Sequence, residues 1–432
     1  MWPSASFPLL LSSSHPFASL PPAAGELMHD IELFRVRIAL LQAFLRVNRF
    51  EGILLSRVDN FAMATGGKRN YVSTAADAGA CSLFVNQAGQ TCFVGNNIER
   101  TRVMAEELGP LGCEVRDFLW FEGNAATLVR KEFPGTLVSD DGSLGENVNG
   151  RLGYLRALLT VEEIEKYRRL GRCAAEAMMA TLSAIQAGDT EAGIAARLIA
   201  EGARRQCQVP VALIAADDRI TRFRHPLPSL SPLLHPGAGE KRVHGYVMVV
   251  GGFLREGLVV SMTRFRCVGE MPAGISDAYA RVCVVDALMQ EASVPGRTLG
   301  DVFAVCRRAY ADFGFAPDEW RNHHQGGTTG YAGRTCKAAP GEAFLILDSE
   351  WARRVKEIVG EDVPFGHAFA WNPSAPGVKS EDTFLLLPDG SQEIVSLTPE
   401  LPTVDIESVL GRKTHAIKSG MAISQCSESS CC

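Results

Sequence analysis

The chain has 432 residues, 46% of them apolar and 21% charged, and a formal net charge of −6. That length suits two domains, and the composition is that of a globular protein rather than a disordered or fibrous one. Basic residues are interleaved with acids, which argues against nucleic-acid binding, and no run of about 18 apolar residues offers a membrane span.

The chain opens with MWPSASFPLLLSSSHPFASLPPAAGE, which carries no Lys or Arg and is broken by prolines. A secretory signal needs a positive start and an unbroken apolar run, and a transit peptide is rich in Arg. Residues 1–27 are therefore expected to be a disordered extension, or sequence upstream of a natural start at Met28. From 29 to 49 the apolar residues recur at helical spacing. Gly52-Ile53-Leu54-Leu55 reads as a short buried strand and Gly66-Gly67 as a turn. Residues 81–95 read as a hairpin around Gln87-Ala88-Gly89, followed by a helix stopped at Gly109-Pro110. Strands alternating with helices make residues 28–155 an α/β domain.

Thr160 precedes Val161-Glu162-Glu163, an N-cap with acids in the first turn, and its helix should run towards Gly188. A second helix follows Asp189-Thr190. From 208 onward strands dominate, in VPVALIAA, GYVMVVGGF and GLVVSMTRFRCVG. A helix pair over 276–293 and 299–313 leads to a glycine-rich stretch at 322–335. The apolar run FLILD and a final strand pair ending DTFLLLP come next. Residues 156–402 are thus α+β, and 403–432 form a C-terminal tail. The twelve cysteines are scattered without a CxxC pair. That pattern predicts reduced thiols in a cytoplasmic protein.

Two stretches carry a family resemblance. The segment TVEEIEKYRRLGRCAAEAMMATLSAIQAGDTEAGIAARL is similar to the opening of the catalytic domain in pita-bread proteins, the superfamily of creatinase, aminopeptidase P, prolidase and methionine aminopeptidase. EGILLSRVDNFAMATGG resembles the N-terminal domain of creatinase and aminopeptidase P. The resemblance implies a creatinase-like α/β N-terminal domain, an α+β pita-bread domain and a homodimer.

In the family's metalloenzymes, two Asp, one His and two Glu hold two divalent ions, which generate hydroxide and clamp a tetrahedral intermediate. Thr263-Arg264 sets the register in this sequence. Val250 and Ser261 then stand at the Asp positions, and His324, with His323 beside it, at the His position. Asn372 in AWNPS and Glu381 in KSEDTFLL stand at the two Glu positions. Valine cannot ligate and serine is a poor neutral ligand, so no metal and no cofactor are expected.

Metal-free relatives such as creatinase and ectoine hydrolase split C–N bonds with histidine as acid and base. His225 in DRITRFRHPLPS resembles the histidine loop that faces substrate in this superfamily. GYAGR, from Gly330 to Arg334, resembles a creatinase segment, with Thr335 replacing its Glu. The resemblance therefore implies a metal-independent, creatinase-like hydrolase of a C–N bond in a small amino-acid-derived or dipeptide substrate. His225, His324 and Glu381 are the catalytic candidates. His323, Arg264, Tyr331, Arg334 and Asn372 are the substrate-binding ones. Either arginine clamps a carboxylate or forms a structural ion pair, and Tyr331 donates to substrate or packs. Gly326 and Gly327 would let the backbone approach a ligand. Ser261 has no visible base and is set aside as a nucleophile. Two alternatives stand beside this: an Xaa-Pro aminopeptidase or dipeptidase-like metallopeptidase with a degenerate site, and an inactive pita-bread binding protein. No nucleic-acid or membrane partner is expected.

Overall fold

The computed structural model describes residues 24–230 and 239–423. The expected N-terminal extension falls almost wholly outside them, as do Cys426, Cys431 and Cys432.

Helix α1 (Ala24–Asn48) is followed by β1 (Gly52–Arg57), α2 (Val58–Thr65), β2 (Ala78–Asn86), β3 (Thr91–Asn96), α3 (Asn97–Val103), β4 (Glu114–Phe118), α4 (Ala125–Glu132) and β5 (Leu137–Ser139). The strands form a mixed sheet in the order β4-β3-β2-β1-β5. The predicted hairpin is β2–β3, and Gly89 closes it at a φ of 86°. Ile53, Leu54 and Leu55 are all buried because helices cover both faces of the sheet. Leu54 packs with Val129 of α4, whereas Ile53 and Leu55 join Leu41 and Leu45 of α1.

After α5 (Gly153–Ala157) the second unit begins at β6 (Leu158–Leu159), which pairs with a strand more than 200 residues away. Helix α6 (Val161–Ser183) starts at a capping box: Thr160 accepts from the Glu163 N–H, and Glu163 accepts from the Thr160 N–H. Then come α7 (Glu191–Arg204), β7 (Gln208–Ala216), α8 (Asp218–Arg222), β8 (Tyr246–Arg255) and β9 (Leu258–Cys267). The helix pair is α9 (Ile275–Ala292) and α10 (Leu299–Asp312), within one residue of expectation at each end. The remainder is β10 (Gly326–Thr329), α11 (Ser349–Val359), β11 (Gly366–Trp371), β12 (Ser374–Ala375), β13 (Val378–Lys379), β14 (Asp382–Leu386), β15 (Gln392–Ile394), α12 (Ile406–Leu410) and β16 (Ala422–Ile423). One sheet runs β10-β11-β14-β15, with β6 on β11; another runs β16-β9-β8-β7. The Thr263 N–H of β9 donates 3.1 Å to the Glu381 carbonyl, which ties the two sheets together.

Three features depart from the sequence reading. FLILD belongs to no strand. Its backbone bonds instead to the entry of α10, through Leu299 N to Phe344 O and Ile346 N to Arg297 O. Asp348 at its end caps α11, an unanticipated helix. Residues 403–423 are not a loose tail: they carry α12, and β16 adds a parallel strand to β9. Finally, Gly326 and Gly327 serve chain packing rather than a ligand. A Cβ at Gly326 would lie 2.2 Å from the Ala370 carbonyl, and one at Gly327 would lie 1.9 Å from the Cys336 carbonyl.

Candidate functional site

Glu381 lies at the head of β14 and is 3% exposed. Its carboxylate accepts from the Thr263 hydroxyl at 2.6 Å, from the Arg334 guanidinium, and from the Asn372 amide at a long 3.5 Å. Arg334 also reaches the Ser261 hydroxyl at 3.3 Å. Burial alone would raise the Glu381 carboxyl, but Lys379, Arg334 and Thr263 outweigh it and hold the acid below its usual range. Ser261, Asn372 and Glu381, placed at ligand positions by register, therefore do converge, and Arg334 of the creatinase-like segment joins them.

Three imidazoles stand beside this group. His323 and His324 follow a short helical turn and precede β10; their rings stack at 4.4 Å between centroids. His225 reaches them from the exposed loop after α8, with its Nε2 2.9 Å from Nε2 of His323. Burial, then the charge of Lys379, lowers His225 and His323 below the ordinary histidine value. Burial and the charges of Arg334, Lys379 and Lys337 push His324 down to about 3. All three rings are thus neutral near pH 7, and of the facing Nε2 atoms of His225 and His323 one donates the hydrogen that the other accepts.

Lys379 is the residue that sequence reasoning missed. Its side chain is buried, and its ammonium makes one long contact, 3.5 Å to Nε2 of His323. Burial lowers its pKa, against the opposing pull of Glu381. A readable signal existed: side chains two apart on an extended segment share a face, so Lys379 accompanies Glu381.

The same alternation corrects two assignments. Arg264 follows Thr263 and faces the other way, as Asp382 does after Glu381. Arg264 is 1% exposed, pairs with Asp382 at 2.6 Å, and gives its remaining donors to Thr398, Ser396 O, Thr263 O and Glu381 O. With every donor taken it is a structural ion pair, not a substrate clamp. Tyr331 is likewise packed: its hydroxyl bonds to Glu163, and the Arg37 guanidinium lies 4.9 Å from its ring centroid. Tyr331 lines a separate open cavity of about 720 Å³, with Arg57, Lys68 and Glu256, that includes none of the clustered imidazoles.

The paired-ion centre of the fold does not fit these residues. Val250 and Ser261 offer no carboxylate. Arg334 puts a fixed positive charge on Glu381, and Asn372 supplies an amide. Five buried polar atoms at the site lack partners: Nδ1 of His323 and of His324, Nε of Arg334, Oδ1 of Asn372 and Oγ of the nearby Ser374. Such atoms each cost about 1–3 kcal/mol, which suits a site that a ligand completes.

No protein-family model and no curated protein matches the sequence. Solved structures do. The prolidase from Thermococcus sibiricus superposes with a TM-score of 0.66 at 17% identity, covering 84% of this chain and 97% of that one. The dipeptidase from Pyrococcus horikoshii gives 0.65 at 15% identity, over 90% and 100%. The N-terminal domain of the FACT complex subunit SPT16 from Cicer arietinum gives 0.57 at 12% identity, over 88% and 99%. The architecture that this chain shares with the prolidases and dipeptidases is the two-domain pita-bread fold.

Proposed function

We propose that the chain is a peptidase-like hydrolase that cleaves a C–N bond in a small amino-acid-derived or dipeptide substrate without a two-ion carboxylate centre. The observation that carries this reading is the convergence of three neutral imidazoles with Lys379, Arg334 and a single carboxylate. His225, on an exposed loop, is placed to move a proton to or from substrate, with His324 as its partner. Lys379 and Arg334 leave the site with more positive than negative charge, which suits a substrate bearing a carboxylate. Glu381 fixes Arg334 and the Asn372 amide. Asn372 and His323 shape the floor. The prolidase and dipeptidase likeness supports peptide-like substrates. No helix among the described residues is long and apolar enough to cross a membrane, and a cytoplasmic location belongs to this proposal. A homodimer belongs to this proposal too.

The test is a screen of dipeptides, including Xaa-Pro, and of ureido and guanidino acids, with and without a chelator. Turnover that survives the chelator and disappears in His225→Ala supports the reading. Turnover that needs two Mn²⁺ or Zn²⁺ per chain overturns it. The FACT subunit likeness favours a second reading, a binding domain that catalyses nothing. A screen that returns no turnover, while a protein partner co-purifies with the full chain, would favour it.

A further inference from the structure

The imidazole cluster has a property that does not depend on any turnover. Among the described residues, His225, His323 and His324 are the one group of three or more His, Cys, Asp or Glu side chains whose ligand atoms all lie within 4.8 Å of one another. We propose that these three histidines form a mononuclear site for a borderline divalent transition-metal ion such as Zn²⁺, an all-imidazole set that shares only His324 with the carboxylate-rich paired-ion centre that the fold implies.

The geometry is close to what one ion requires. Zinc binds imidazole nitrogen at about 2.0–2.1 Å, so nitrogens around a tetrahedral ion stand roughly 3.3 Å apart. Nε2 of His225 and Nε2 of His323 are already 2.9 Å apart. The ligand atoms of all three histidines lie within 4.8 Å of one another, and His225 rides on an exposed loop. Two of the ring nitrogens, Nδ1 of His323 and Nδ1 of His324, are buried without partners. His323 itself is only 7% exposed, so water does not satisfy it freely. A ring nitrogen with no hydrogen-bond partner has no competing bond to give up before it ligates an ion. An all-imidazole donor set selects Zn²⁺, Cu²⁺ or Ni²⁺ over Mg²⁺, Ca²⁺ and Mn²⁺, which prefer carboxylate oxygens.

The cations around the cluster set a condition. Lys379 lies 3.5 Å from Nε2 of His323, and Arg334 is near His324. They repel a bare dication, so the ion should enter with an anionic fourth ligand, hydroxide or a carboxylate, facing Lys379. Affinity should therefore rise when acetate is added, whereas added acetamide should do nothing.

The experiment uses the full chain, freed of metal by chelator, dialysed against Co²⁺ and Zn²⁺ in turn. The expected result is about one ion per chain, with the intense visible absorption of tetrahedral Co²⁺, and no retention of Mg²⁺ or Mn²⁺. His225→Ala, a change on an exposed loop, should empty the site, and so should His324→Ala. A variant with Cys426, Cys431 and Cys432 changed to serine should keep it. No retained ion, or an ion held equally by His225→Ala, overturns the proposal. Because the readout is binding, a chain that binds zinc yet hydrolyses nothing leaves this site standing and removes the proposed reaction. Turnover by a chain that binds no zinc does the reverse.

Discussion

Arg334 donates to the carboxylate of Glu381 while its other amino group reaches the Ser261 hydroxyl at 3.3 Å. A guanidinium therefore bridges two positions where paired-ion members of the fold would carry metal-binding acids. Glu381→Gln removes the one carboxylate that, among the described residues, faces Arg334 and Lys379. Leaving buried cations without a counter-charge costs about 3–5 kcal/mol. Urea denaturation at pH 7 should show that loss, and Glu381→Asp should recover only part of it.

Lys379 should behave in the opposite way. It is a buried ammonium whose hydrogen bonding is a single long contact to an imidazole. Lys379→Met keeps the stem and removes the desolvated charge, so it should raise stability by about 1 kcal/mol or more. The same change should weaken binding of any carboxylate-bearing substrate, seen as a higher KM with the amide-capped analogue unaffected. A destabilised Lys379→Met protein would contradict this account of the site.

The Arg264–Asp382 pair is a stability element. Arg264→Ala strands a buried aspartate and should cost about 3–5 kcal/mol. A double change to apolar residues, Arg264→Met with Asp382→Leu, should recover much of that loss, since a buried pair often breaks even against packed hydrocarbon. Thermal unfolding of the two single variants and the double variant closes the cycle.

Tyr331 should show the same separation of stability from function. Arg37 of α1 binds Glu163 and the carbonyls of Leu155 and Leu158, and Tyr331 completes the knot between the two units. Tyr331→Phe loses one hydrogen bond to a charged acceptor, worth about 1.5–3 kcal/mol. It should lower the unfolding midpoint and leave kcat and KM unchanged.

His367 predicts an acid limit on stability. It is fully buried in β11, its Nδ1–H donates to the Ala157 carbonyl at 2.9 Å, and Nε2 has no partner. Burial pushes its pKa down to about 4, despite that hydrogen bond. Unfolded histidine titrates near 6.5, so below that pH the unfolded chain takes up a proton that the folded chain refuses. Stability should fall between pH 6.5 and 4 by roughly 3 kcal/mol from this residue alone. His367→Phe should be about 1 kcal/mol less stable at pH 7 but should lose that share of the pH slope. Urea midpoints across the window, compared for the two proteins, test the sign.

The sequence by itself determined the local elements and their order. Periodicity marked α1, the Thr160 capping signal marked α6, and two apolar runs around Gly89 marked β2 and β3, because each depends on residues a few positions apart. It also placed Ser261, Asn372 and Glu381 by register and singled out His225, His323 and His324, which do meet. Only the tertiary structure decided which side chains share a face and what lies opposite. Adjacent Thr263 and Arg264 diverge to the site and to a buried ion pair because β9 alternates. Lys379 enters the site because it sits two residues before Glu381. FLILD fails to become a strand because its backbone partners are at the entry of α10. Contacts between distant segments, with burial that sets their charge, are properties of the packed chain and not of any window along it.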